Sequence, residues 1–287
     1  MRLASVLFEG RSLFGAVTSH GFVDFTQAFA GRCEDLRGWL AGDYHAESAS
    51  LVGRASAWIA PEHLVFVPPI PNADARMFAV GWSYRDHQVE TGAAPPSKPF
   101  IFQKLPSSMV GHGQPLVKPQ ASNRFDFEGE IVVVIGKAGR HIALEAAMEH
   151  VAGYSVLMDG SMRDWQQDSV TAGKNFDPSS AYGPCIVTAD EIEDPHRMEL
   201  VTLLNGVEMQ RAHFADMVWG VPALVAYVST MCQLRAGDAI STGTPSGVGN
   251  KRLPPVYLQP DDMPSVEVSG LGVLRNPVIS ETRGGRE

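Results

Sequence analysis

The sequence has few of the features that mark secreted or membrane-spanning proteins. Only three cysteines occur in 287 residues, Cys33, Cys185 and Cys232, and none forms a C-x-x-C pair. This usage argues against a disulfide framework and fits a reducing compartment. A long apolar run is also missing, because residues 217–228 are interrupted by a glycine and a proline and are too short to cross a bilayer.

An excess of positive charge is absent as well. The formal net charge is −9, which argues against a nucleic-acid footprint or an anionic membrane as partner. Hydrophobic content of 44% with 19% charged residues is ordinary for a soluble globular protein. The N-terminal residues 1–10 resemble a first strand rather than a signal peptide, since Glu9 breaks their short apolar patch. We therefore expect a cytoplasmic protein.

The stretch around which the chain is organised is Phe125–Gly136, with the sequence FDFEGEIVVVIG. Its second half is a β-branched run of the kind that forms a strand buried on both faces. Its first half alternates, so a strand would send Asp126, Glu128 and Glu130 to one face. Burying such carboxylates unpaired costs several kcal/mol each, so we expect a cation to compensate. Mg²⁺ and Mn²⁺ prefer such oxygen ligands.

A second acidic position supports a metal site. Asp159 directly follows a predicted strand over 151–158, so it can converge with Glu128 and Glu130 from a separate element. Taken alone, the E-x-E pattern also suits a solvated edge, or acids that pair with the neighbouring Arg124.

The segment Gly81–Glu90 carries a candidate acid/base pair. If it is helical, His87 and Glu90 are i, i+3 neighbours and can hydrogen-bond, which leaves the other imidazole nitrogen free to take a proton. The loop at 91–96 could act as a hinge, so this pair is expected on a lid. The alternative is an ordinary surface contact.

Two further segments suggest ligand contacts. Arg163 and Gln166 share one face if the turn after Asp159 is helical, and could clamp a carboxylate; alternatively Arg163 pairs with Asp164 or Asp168. The glycine-rich loop that ends the segment 237–249 could hold an anionic oxygen on its N–H groups, or be only a tight turn. It lacks the spacing of a nucleotide-binding motif.

The order of elements predicts an α+β protein with two parts. Short β-rich runs fill residues 3–25, a helical pattern covers about 34–60, and the proline-rich segment Val67–Pro71 interrupts regular structure. We place a domain boundary there, with a small α+β cap at 1–71 and a catalytic domain at 72–287.

Several motifs together resemble the fumarylacetoacetate hydrolase family. They occur in the order typical of the family and cover roughly residues 77–279: GWSYRDHQVETG, FIFQKLPSSMVGHG, FDFEGEIVVVIGKAGRHI, MDGSMRDWQ, GKNFD, LLNGVEMQ, ISTGTPSGVG and VSGLGVLRNPV. The sequence is similar to the branch of acylpyruvate hydrolases and 2-hydroxyhepta-2,4-diene-1,7-dioate isomerases. Met158 and the pair Gly160-Ser161 depart from the usual pattern without removing a candidate ligand.

The resemblance implies a rolled, mixed β-sheet around one Mg²⁺ or Mn²⁺ ion, in a homodimer. By position, it implies three metal ligands, which are Glu128, Glu130 and Asp159, and a lid dyad of His87 and Glu90. It also implies Lys174 as the active-site lysine, and Arg163, Gln166 and Thr244 as substrate-binding residues.

The resemblance also implies a small 2-oxo acid as substrate. Our leading hypothesis is hydrolytic C–C cleavage of an acylpyruvate-like 2,4-diketo acid, in the catabolism of aromatic or related compounds, with His87 activating water and Lys174 stabilising the oxyanion. Decarboxylation of oxaloacetate and isomerisation of a 2-hydroxyhepta-2,4-diene-1,7-dioate suit the same site. A protein that binds 2-oxo acids without turnover is the alternative outside enzymes.

Overall fold

The structure is a computed structural model that describes residues 1–92, 94 and 96–282. Ala93 and Pro95 of the expected hinge, and the last five residues of the expected second domain, lie outside the described residues. Across the described ranges, the helices are all too short or too polar to cross a membrane.

Strands outnumber helices, as expected for a sheet-dominated α+β protein. The helices of the described residues are α1 Leu36–Ala41, α2 His45–Arg54, α3 Arg85–Thr91, α4 Val170–Lys174 and α5 Val221–Met231. The strands are β1 Arg2–Phe8, β2 Arg11–Thr18, β3 Gly21–Asp24, β4 Val65–Phe66, β5 Met77–Gly81, β6 Phe100–Lys104, β7 Met109–Val110, β8 Leu116–Lys118, β9 Phe125–Asp126, β10 Gly129–Ile135, β11 Val151–Met158, β12 Ser161–Met162, β13 Ser180–Thr188, β14 Glu199–Leu204, β15 Val207–His213, β16 Ala239–Ser241, β17 Pro264–Val268, β18 Gly272–Arg275 and β19 Val278–Ser280.

One large mixed sheet runs through the molecule in the order β3-β2-β1-β13-β11-β10-β16-β5-β6. Neighbours are antiparallel except for β16 and β5. The three N-terminal strands join this sheet because β1 pairs with β13. The expected division of the chain at residue 71 stays a prediction.

Strand β10 is buried over its whole length, and its two faces meet two different cores. Ile131 and Val133 pack in a cluster with Tyr154 and helix α5 residues, whereas Val132 and Val134 pack with N-terminal side chains such as Trp39. A strand sends alternate side chains to opposite faces, so a continuous β-branched run stabilises both layers.

A smaller antiparallel sheet of order β15-β14-β17-β18 covers the start of β10. Asn205 and Gly206 both have positive φ, at 53° and 80°, and form the predicted hairpin turn between β14 and β15. A Cβ atom on Gly129 would lie 2.1 Å from Thr202 Oγ1, so the absence of a side chain there allows the two sheets to approach closely.

Three adjacent central strands of the large sheet, β11, β10 and β16, bring separate segments together at one end of the strands. In the antiparallel register, Gly129 at the start of β10 faces Met158 at the end of β11, and Val132 faces Ser241 at the end of β16. The Asp159 backbone N–H donates to the Glu128 carbonyl over 2.8 Å, which continues this alignment past the strand ends. Residues 128–130, 158–160 and 241–244 therefore adjoin.

We predict that Gly153→Ala destabilises the fold. The added Cβ atom would lie 2.2 Å from the Val187 carbonyl oxygen in β13, so the central strands must separate, at a cost of about 2–3 kcal/mol in the free energy of unfolding. Urea unfolding measures this change. The control is Gly53→Ala in α2, where the Cβ atom meets nothing within 4 Å and the expected effect is a gain of about 0.5–1 kcal/mol. Equal stabilities of the two variants would contradict the tight β11–β13 approach.

Candidate active site

Three acidic side chains meet at this end of the central strands β10 and β11. One carboxylate oxygen each from Glu128, Glu130 and Asp159 lies within 4.8 Å of the others. All three side chains are buried, with relative exposures of 5%, 1% and 0%. The structure thus brings together the acids that the sequence pattern placed at the end of one strand and near the start of another.

The charge balance at these acids fits a divalent cation. Burial, together with the neighbouring Asp159 and Glu128 carboxylates, raises the pKa of Glu130 to about 8. Glu130 accepts hydrogen bonds from Ser241 Oγ and from Gly243 N–H, both neutral donors, and within the described residues it has no ion pair. A buried set of three oxygen ligands short of positive charge is a donor set that Mg²⁺ and Mn²⁺ take.

Two lysines partly neutralise the other two acids. Lys174 Nζ lies 2.5 Å from Glu128 Oε2 and 2.7 Å from Asp159 Oδ2. Lys104 Nζ lies 2.8 Å from Asp159 Oδ1 and donates to Ser180 Oγ and to the Lys174 carbonyl. Burial lowers the pKa of Lys104. Lys104 was not among the predicted residues, although a lysine that ends the apolar strand FIFQK is the kind of pattern that could have identified it.

Arg163 holds two acids of the alternating segment together. Its Nε donates to Asp126 Oδ2 over 2.8 Å and its Nη2 lies 2.6 Å from Glu128 Oε1. Its Nη1 donates to Gln166 Oε1 over 3.1 Å, so the expected proximity of this pair is present. The alternative pairing with Asp164 or Asp168 is not the one found here.

Asp126 is separated from the three clustered acids, although it shares their alternation in the sequence. The strand is interrupted between β9 and β10, and Asp126 is fully buried. Besides Arg163, it accepts hydrogen bonds from the backbone N–H groups of Gly249 and Asn250, over 2.8 and 2.9 Å. Asp126 therefore fixes Arg163 and the turn 249–251 relative to each other.

His87 and Glu90 form the expected pair on helix α3. His87 Nδ1 lies 2.9 Å from Glu90 Oε2. Glu90 Oε1 also accepts from the Gly247 N–H over 2.8 Å, and Asp86 accepts from both the Ser246 hydroxyl and its backbone N–H. The helix is thereby attached to the glycine-rich loop. Because Glu90 engages Nδ1, the Nε2 atom of His87 is the one left for proton transfer.

The backbone N–H groups of the glycine-rich loop at 243–249, which were expected to bind a ligand, instead donate to acidic side chains of the protein itself. Its N–H groups at Gly243, Gly247 and Gly249 donate to Glu130, Glu90 and Asp126 respectively. Thr244 Oγ1 donates to the Gly129 carbonyl over 3.0 Å and accepts from Gln210 Nε2 over 2.8 Å. The loop is thus a scaffold for the acids on three other segments.

These side chains surround one cavity of about 440 Å³. Seven of the nine predicted site residues line it, whereas Asp159 and Glu90 are in contact with the lining residues Lys174 and His87. The polar lining residues that the sequence predicted are His87, Glu128, Glu130, Arg163, Gln166, Lys174 and Thr244. Trp82, Phe100 and Phe102 form an aromatic wall, and Arg124 and Lys251 add positive charge.

The chain belongs to the fumarylacetoacetate hydrolase family. The family's C-terminal domain, described as fumarylacetoacetate (FAA) hydrolase C-terminal, matches residues 76–279. The fold, the clustered acids and this match agree with the resemblance drawn from the motifs.

Oxaloacetate tautomerases are among the relatives to which this chain is similar. The chain is 39% identical over 221 residues to oxaloacetate tautomerase fahd2, mitochondrial, of Xenopus laevis, covering 76% of this chain and 69% of the relative. It is 40% identical over 220 residues to oxaloacetate tautomerase FAHD2A, mitochondrial, of Homo sapiens, covering 75% of this chain and 70% of the relative.

Solved structures of several activities share this fold. Fumarylacetoacetate hydrolase from Exiguobacterium antarcticum matches with a TM-score of 0.82 and 32% identity, over 98% of this chain and all of that one. 2-Hydroxyhepta-2,4-diene-1,7-dioate isomerase from Mycobacterium marinum matches with 0.76 and 26%, over 99% and 100%. Maleylpyruvate hydrolase from Sphingobium sp. SYK-6, in complex with manganese(II) ion and pyruvate, matches with 0.82 and 25%, over 98% and 100%.

We predict that Glu128→Gln weakens Mn²⁺ binding at least about 100-fold, because the substitution removes a charged oxygen ligand from a set of three. Isothermal titration with MnCl₂ measures the affinity. The control is Glu149→Gln, which removes an exposed carboxylate paired with Lys137 and is expected to leave the affinity unchanged. Unaltered Mn²⁺ affinity in Glu128→Gln would show that the metal, if bound, lies elsewhere.

Proposed function

We propose that this protein is a divalent-metal-dependent enzyme that interconverts the keto and enol forms of a small 2-oxo dicarboxylic acid such as oxaloacetate. The observation that carries the proposal is the acid cluster facing His87 across one cavity, in a chain that is 39–40% identical to two oxaloacetate tautomerases. The reaction moves one proton from carbon 3 to the 2-oxo oxygen and breaks no carbon–carbon bond.

Glu128, Glu130 and Asp159 would hold the cation, which would polarise the 2-oxo group as a Lewis acid. Arg163 and Lys174 stay beside these acids, where their positive charge stabilises negative charge that develops on the substrate oxygen. The relative solved with manganese(II) and pyruvate supports the choice of metal and of ligand class.

His87 is the group suited to move the proton. Its Nδ1 is engaged by Glu90, so Nε2 can accept the proton from carbon 3 while the carboxylate stabilises the imidazolium. The proton returned to the 2-oxo oxygen completes the enol, and the reverse sequence restores the keto form. Attachment of α3 to the loop through Glu90 and Asp86 keeps the imidazole facing the acids.

Hydrolytic C–C cleavage of a 2,4-diketo acid, the leading hypothesis from the sequence, is the second candidate. The likeness to a fumarylacetoacetate hydrolase at 32% identity favours it, and so does an aromatic wall in the same cavity as the acids, which suits a longer substrate. In that reaction Nε2 of His87 would activate water instead of removing a carbon-bound proton.

The test follows enol absorbance of oxaloacetate with Mg²⁺ or Mn²⁺, beside EDTA controls, and measures pyruvate release from oxaloacetate, acetylpyruvate and fumarylpyruvate in parallel. We expect metal-dependent loss of enol without pyruvate, and a decrease in kcat of at least about 100-fold in His87→Gln. The matched control is His196→Gln, which alters an exposed histidine paired with Asp194.

Other outcomes separate the alternatives. Pyruvate and a carboxylic acid from a diketo acid would establish the hydrolase, and pyruvate from oxaloacetate alone a decarboxylase. If none of these substrates reacts, the diene-dioate isomerase substrates come next, and tight binding without turnover would make the protein a binder of 2-oxo acids. Full activity of His87→Gln would move the base elsewhere.

We further propose a cytoplasmic homodimer, and no nucleic-acid or membrane partner. Apolar side chains exposed on and beside the smaller sheet support self-association, among them Val207 in β15 and Leu253, which are 60% and 97% exposed. Light scattering after size exclusion is expected to give twice the monomer mass, about 62 kDa from 31.0 kDa per chain. We expect the variant Leu253→Glu to have a lower mass in the same measurement. A monomer in the wild type would contradict the proposal.

A further inference from the structure

Two positively charged side chains of the cavity have no partner among the residues that the structure describes. Arg124, just before β9, and Lys251, in the turn 249–251, are both exposed residues that line the cavity. Within residues 1–92, 94 and 96–282, neither side chain makes an ion pair or a hydrogen bond. Their charges are therefore available to a ligand.

Asp126 explains why both cations lie at one cavity. The Arg163 N–H donates to the Arg124 carbonyl over 3.0 Å, so Arg124 lies beside the arginine that Asp126 binds. Asp126 also holds the turn before Lys251 through the N–H groups of Gly249 and Asn250. One buried carboxylate thus anchors both backbone segments that carry the free cations.

The other cations of the cavity are already occupied. Arg163 pairs with Asp126 and Glu128, and Lys174 with Glu128 and Asp159. The aromatic wall of Trp82, Phe100 and Phe102 offers no positive charge to an anion. A second anionic group on a ligand would therefore be stabilised best at Arg124 and Lys251.

We propose that Arg124 and Lys251 form a subsite for the distal carboxylate of a 2-oxo dicarboxylic acid, and that this subsite selects dicarboxylic over monocarboxylic substrates. The identity of the ligand's other end rests on the proposed function, in which the 2-oxo group lies at the acid cluster. An arginine can bind a carboxylate through two parallel hydrogen bonds, and a lysine adds a point charge.

The experiment compares oxaloacetate with 2-oxobutanoate, which has the same four-carbon chain but lacks the distal carboxylate. Dissociation constants come from calorimetry with Mg²⁺ present, and KM and kcat from the enol assay. In Arg124→Gln/Lys251→Gln we expect the dissociation constant and KM for oxaloacetate to rise at least about 10-fold, with kcat and the affinity for 2-oxobutanoate changed less than about 2-fold.

The control is Lys137→Gln/Arg140→Gln, which removes the same two residue types from an exposed segment away from the cavity and so corrects for net charge. Equal losses for both ligands, or no loss for oxaloacetate, would overturn the subsite. Selective loss of oxaloacetate binding in a protein that does not tautomerise it would keep the subsite and reject the proposed function. If the protein tautomerises oxaloacetate but the double variant keeps the wild-type preference for oxaloacetate over 2-oxobutanoate, the proposed function would stand and the subsite would be rejected.

Discussion

The burial of several like charges at one end of strand β10 is the constraint on which the rest of the structure depends. A carboxylate removed from water without a partner is costly, and here three clustered carboxylates and the separate Asp126 are all buried. Their compensation comes from two buried lysines, one half-buried arginine and backbone N–H groups of one loop, so each of these partners must be held in place. The acids are Asp126, Glu128, Glu130 and Asp159, and the cations are Lys104, Arg163 and Lys174.

The antiparallel order of the central strands satisfies this constraint economically. Because β10 begins beside the ends of β11 and β16, the residues that flank these three strands lie next to one another in space. The loop after β16 then donates N–H groups from its three glycines, Gly243, Gly247 and Gly249, and the first two of these have positive φ. Side chains at these two glycines would collide with Val80 and Met209 carbonyl groups, so the scaffold requires glycine.

The same arrangement also explains why one family contains several activities. In the proposed reaction, the acids and their cations would hold the metal and the 2-oxo group, and His87 would transfer the proton. Neither specifies what lies beyond carbon 3 of the substrate. We infer that the remaining cavity wall determines this part of the substrate. In this chain the wall combines aromatic rings with the cations Arg124 and Lys251. We expect differences at this wall, rather than at the acid cluster, to set the choice between tautomerase and hydrolase chemistry.

The sequence by itself determined the local features, because periodicity and spacing act over a few residues. The β-branched run predicted a doubly buried β10, and the alternation before it predicted that the glutamates share one face. The i, i+3 spacing predicted the contact of His87 with Glu90, and the ordered motifs indicated the family. Only the tertiary structure separated Asp126 from the acids that cluster. Asp126 shares the alternation but binds Arg163 and the turn 249–251 instead, and Lys104 enters from another strand. Those contacts join residues far apart in the chain, and their geometry follows from strand order and register, which no local pattern specifies.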